Sequence, residues 1–117
     1  MNKTPQELQE LHEALQASKA AKHLFKIHWP RTFRMSLESP SAVDGNHIFI
    51  NIEVDKEHEG RFRYDVLIHN PSIDLKLYRR LKQKNHTTTE EIIEDVAHFF
   101  TPEITKKEVY SFMPRLR

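Results

Sequence analysis

At 117 residues, with 38% hydrophobic and 30% charged side chains, the chain has the length of one domain, residues 1–117, able to bury a modest core. Its 18 Lys+Arg against 17 Asp+Glu leave a formal charge of +1, which excludes a surface that draws nucleic acid or membrane by overall charge. Without cysteine, disulfides, thiolate zinc sites and a cysteine nucleophile are excluded as well.

The opening MNKTPQELQELHEAL carries no apolar core of a secretory signal, and no apolar run reaches the roughly 20 residues of a membrane span. A cytoplasmic location is expected. Thr4-Pro5-Gln6-Glu7 reads as a capping box with proline at the first helical position. Leu8, Leu11, Leu15, Ser18 and Phe25 follow at helical spacing until Trp29-Pro30 stops the pattern, which predicts one helix over about 5–27.

The period then changes to two. Met35 and Leu37, then Ile48, Ile50 and Ile52, then Phe62, Tyr64, Val66 and Ile68 alternate with polar neighbours, predicting a three-stranded antiparallel meander with one buried face. Keeping the apolar faces aligned sets Val54 opposite Phe62, Ile52 opposite Tyr64 and Ile50 opposite Val66. The same register puts Glu53 beside Arg63, Phe49 beside Leu67 and His47 beside His69 on the other face.

Beyond Asn70-Pro71 the pattern turns ambiguous, since Ile73, Leu75 and Leu77 alternate as a strand would. Leu77, Tyr78 and Leu81 share one helical face, and a helix over 73–84 is the favoured reading. Thr88-Thr89-Glu90-Glu91 is a second capping box, leading Ile92, Ile93, Val96, Phe99 and Phe100 up to Thr101-Pro102. Thr105-Lys106-Lys107-Glu108 reads as a third, ahead of Val109, Phe112 and Met113. The expected fold is therefore α+β in two layers: an N-terminal helix, the three-stranded meander, then two to three C-terminal helices. In element order alone this resembles the RWD and ubiquitin-conjugating-like architecture. None of that family's motifs is present, and a chain without cysteine has no conjugating activity.

Catalytic motifs are absent. Gly45 and Gly60 are the only glycines, too few for a phosphate-cradling loop, and there is no Gly-x-Ser-x-Gly elbow. A small toxin-like ribonuclease would use groups such as Arg34, Arg63, Tyr64 and His69, but Tyr64 falls on the apolar face. The eight histidines show no helical ligand spacing beyond Glu94 and His98, and the acidic loop Asp55–Gly60 is too short for a calcium loop, so no metal or cofactor is expected.

Charge is segregated instead. Lys76, Arg79, Arg80, Lys82 and Lys84 form a block of five positive charges without an acid, next to Glu90, Glu91, Glu94 and Asp95 without a base. The basic block over 76–86 is a candidate contact for an RNA or DNA backbone, or no more than a solvated helix face. The favoured function is a small non-enzymatic protein-binding module of adaptor, immunity or inhibitor type. It would act through the outer sheet face, where Phe49 and Leu67 form an apolar centre amid Arg34, Glu53 and Arg63. An RNA-binding protein or ribonuclease using the basic segment is the alternative.

Overall fold

The computed structural model describes residues 5–70, 72 and 78–112. Helix α1 spans Gln6–Gln16 and a 3-10 helix spans Lys19–His23. Five strands follow: β1 (Lys26–Arg31), β2 (Arg34–Glu38), β3 (His47–Val54), β4 (Phe62–His69) and β5 (Tyr78–Thr87). Helices α2 (Thr89–Phe99) and α3 (Pro102–Phe112) complete the described chain. The strands form a single antiparallel sheet in the order β1-β2-β3-β4-β5. The expected three-stranded meander is its centre, and a strand is added at each edge.

Most of β5 comes from a segment expected to be helical, whereas β1 takes only the last two residues of the expected N-terminal helix and the stretch that follows it. The predicted 5–27 helix breaks at Ser18, whose hydroxyl donates to the Leu15 carbonyl at 2.7 Å and accepts from the Ala20 N–H at 3.1 Å. A serine that offers the backbone such bonds competes with helix continuation. Leu24 then adopts a left-handed conformation, φ 52°, which ends the 3-10 helix. The chain enters β1, where Ile27 faces Leu37. Pro30 is tolerated because β1 lies at the sheet edge.

At the other edge, residues 78–84 of the predicted 73–84 helix belong to β5, while 73–77 lie outside the described residues. Pairing with β4 supplies this polar segment with a ladder that outweighs a three-residue apolar match to a helix. Two bulges also break its alternation. A lysine-rich edge strand resists pairing with other chains, which fits the composition of β5.

The register expected for β3 and β4 is the one found, including Ile50 opposite Val66, Ile52 opposite Tyr64 and Phe49 opposite Leu67. Ile48, Ile50, Ile52, Val66 and Ile68 are fully buried beneath Leu8, Leu11 and Leu15 of α1, Ile92 and Val96 of α2, and Val109 of α3. Thr88 caps α2 as expected, its hydroxyl accepting from the Glu91 N–H at 3.3 Å. The first capping threonine, Thr4, lies outside the described residues. Thr105 does not start a helix. It is buried in α3 and donates to the Phe99 carbonyl at 2.8 Å, because Pro102 right after Thr101 opens the helix a turn earlier.

Candidate functional site

With the helices on one face, the other face of the sheet is built from successive cross-strand rungs. One runs Glu38–Phe49–Leu67–Arg80, the next Ser36–Asn51–Asp65–Gln83, and a third Arg34–Glu53–Arg63. Phe49 and Leu67 are both half-buried. The Phe49 ring stands between the imidazoles of His47 and His69, its centroid 6.1 Å from each. Glu53 sits in a fork, one carboxylate oxygen accepting from Arg34 and the other from Arg63, each at 3.1 Å. Burial pushes the Glu53 carboxyl up, but the two guanidiniums outweigh it and hold the group below the ordinary carboxylate value. Asn51, Asp65, Gln83 and Asn85 join this fork around a shallow polar depression of about 200 Å³. The residues proposed from sequence for the outer face thus share one face of the sheet, with the Asn51–Asp65 rung lying between the Phe49–Leu67 rung and the Arg34–Glu53–Arg63 fork.

The basic block has a different fate. Lys76 lies outside the described residues. A bulge at Leu81 shifts the β5 register so that Lys82 and Lys84 pair with Val66 and Tyr64, on the helix side of the sheet. There Lys82 bonds both Asp95 oxygens, at 3.2 and 2.9 Å, and Lys84 bonds Glu91. Arg80 stays on the outer face and pairs with Asp65 at 3.6 Å, while Arg79 donates to Ser111 at 2.9 Å. Lys82 and Lys84 of the positive block thus face Asp95 and Glu91 of the negative block across the β5–α2 turn. Hydrogen bonds from Lys84 and Thr87 hold the Glu91 carboxyl below its ordinary value. Burial, and then the Asp95 carboxylate that accepts its proton, push the Tyr64 phenol well above the ordinary tyrosine range.

A third constellation was not read from the sequence. At the β3–β4 turn the Asp55 carboxylate, 3% exposed, meets His58 from its own loop and His86 from β5. Asp55 Oδ2 lies in hydrogen-bond contact with His86 Nδ1 and 3.5 Å from His58 Nδ1. Asp55 Oδ1 accepts the Glu57 N–H at 3.0 Å. Burial pushes this carboxyl up, and that N–H together with the two imidazoles more than reverses it. The Asp55-Lys56-Glu57-His58 spacing was visible. His86 reaches the loop only because β5 is a strand paired with β4, and a helix over 73–84 hid that neighbourhood.

The fold is thus a five-stranded antiparallel meander with helices on one face and a polar outer face open among the described residues. No helix among the described residues is long and apolar enough to cross a membrane. No protein-family model, no curated protein and no solved structure matches the chain.

Proposed function

We propose that this protein is a small non-enzymatic binding module whose outer sheet face docks a protein partner. The observation that carries the reading is the rung of Phe49 and Leu67, half-buried on the sheet face opposite the helix-packed core. Glu38, Arg80 and the Arg34–Glu53–Arg63 fork frame it with charges held in place by one another. An apolar centre inside a polar rim is the anatomy of a modest protein interface. Rim charges already paired within the chain keep their geometry on docking, which lowers the ordering cost of association. The described cations of the basic block support a phosphate-binding reading less well, because Arg80, Lys82 and Lys84 already meet carboxylates.

The test is a photo-crosslinking residue at the exposed Gln83, beside the depression, with a control at Glu103 on α3. In lysate of the native host, Gln83 gives one protein adduct of defined size and Glu103 does not give it. The double change Phe49→Ser, Leu67→Ser removes the adduct while the thermal midpoint stays within a few degrees. An adduct that persists in the double variant, or unfolding of that variant, places these residues outside any interface.

A further inference from the structure

We propose that Asp55, His58 and His86 form a binding site for one divalent transition-metal ion of the zinc type. The inference goes beyond the docking reading and uses different residues, at the β3–β4 turn beside the Glu53–Arg63 end of the outer face. Each of the three side chains offers one ligand atom, and these atoms lie within 4.8 Å of one another. Zinc bound tetrahedrally at about 2.0–2.1 Å spaces its ligands about 3.3 Å apart, so the His58–Asp55 spacing of 3.5 Å already suits the ion and His86 has to exchange its hydrogen bond to Asp55 Oδ2 for the metal. The two imidazoles already converge, their ring centroids 3.8 Å apart.

The backbone prepares this arrangement. The Asp55 N–H donates to the Arg61 carbonyl at 2.9 Å, and the His58 N–H donates to the Asp55 carbonyl at 3.3 Å. These bonds close the loop into a tight ring, and the Glu57 N–H fixes Asp55 Oδ1 so that Oδ2 is turned to the histidines. A bond of this kind, on the oxygen that does not bind the ion, fixes the direction in which the carboxylate presents its other oxygen to a metal. His86 arrives by a bulge: Asn85 and His86 together stand against the single Arg63 of β4. Its φ is +56°, a conformation that costs a non-glycine residue free energy and swings the imidazole onto the loop.

The ligand set selects the ion. Two imidazoles and one carboxylate suit zinc and its neighbours, whereas calcium and magnesium require a shell of oxygens. Three protein ligands leave a fourth position, and Asp55 and His86 line a cleft of about 530 Å³ through which ion and water reach it.

The experiment uses the full, tag-free chain stripped with chelator, titrated calorimetrically with zinc chloride and followed in parallel by cobalt absorption. Expected are one zinc ion per chain, visible cobalt bands typical of four-coordination, and a thermal midpoint that rises with zinc. His58→Ala and His86→Asn each weaken zinc binding about tenfold or more, since even loss of an outer-shell partner costs about 10–100-fold. Asparagine at 86 tolerates the positive φ, and the half-exposed His58 carries the test alone should the other variant unfold. His47→Ala, in the separate Glu38–His47 contact, leaves zinc binding unchanged. The proposal is overturned if the wild-type chain takes no zinc, if calcium binds in its place, or if His58→Ala binds as wild type does.

Discussion

Tyr64 on β4 donates its phenolic proton to the Asp95 carboxylate on α2, 31 residues further along the chain. Lys82, from the strand between them, holds the same carboxylate at 2.9 Å, and its ammonium lies 5.8 Å from the centre of the Tyr64 ring. A core tyrosine, an edge-strand lysine and a helix acid therefore form one partly buried joint between the sheet and the second layer. Tyr64→Phe keeps the ring and removes the proton donor. It should destabilise the fold by about 0.5–1.5 kcal/mol, the usual net worth of such a bond, and by more if Asp95 is left short of partners. Because the folded-state pKa of Tyr64 is raised, this contribution is complete below its ordinary value of 10.0 and is lost as pH rises towards the folded value. Denaturant unfolding of wild type and variant at neutral pH and above pH 10 measures both effects, and equal stability at neutral pH would remove the joint.

Glu91 gives the opposite pH dependence. Its carboxyl is held below the ordinary 4.5 by Lys84 and Thr87, so its contribution is present above 4.5 and is lost as pH falls through the lowered folded value. Glu91→Gln should therefore be less stable than wild type at neutral pH, with the gap closing below that range. The gap is small, since the pair is partly exposed and solvent screens it. Parallel urea titrations across the acid range check the sign. A gap that widens on acidification would contradict the pairing.

The centre of the fold was legible in the sequence because Ile48, Ile50 and Ile52 must share a face with Phe62, Tyr64, Val66 and Ile68, and a slip of one residue would expose them all. The Arg34–Glu53–Arg63 fork followed largely from that register. The edge strands were not legible. β1 contributes only Ile27 to the core and holds an exposed Trp29 and Pro30. β5 is interrupted by two bulges and turns lysines towards the helices, so neither strand has a period to read. Everything that depends on β5 was hidden with it: the lysine–acid pairs to α2 and the meeting of His86 with Asp55. Charge segregation was seen, but a linear reading could not tell a phosphate-binding surface from two halves of one ion-pair network.

That network predicts weak behaviour towards nucleic acid. Lys82 and Lys84 are directed at Asp95 and Glu91, and Arg80 at Asp65. A low-salt mobility shift with single-stranded RNA should show no retained complex. A complex whose affinity falls with salt at about −0.7 per contacted phosphate would restore the basic strand as an RNA surface.

Two glycines allow backbone strain to be separated from crowding. The β2–β3 connection turns through Asp44 and Gly45, with φ of 52° and 82°, closed by paired N–H and C=O bonds between Val43 and Asn46. Two successive positive φ values at an Asp-Gly pair match the tight turn that suits the twist of a hairpin. Gly60 closes the next hairpin with φ 76°, in open space. A side chain at either position carries the left-handed strain of about 1–2 kcal/mol. At Gly45 a Cβ would also sit 2.9 Å from Asn70 Nδ2, which itself bonds the Asp44 carbonyl at 3.2 Å. Gly60→Ala should therefore show the strain alone, and Gly45→Ala should cost more because Asn70 must move and its bond is disturbed. In the Asn70→Ala background the two substitutions should cost nearly the same, since the crowding partner is gone. Thermal and denaturant unfolding of the four variants, with wild type as reference, provides the comparison. If Gly45→Ala is no worse than Gly60→Ala with Asn70 in place, Asn70 does not pack beneath this turn.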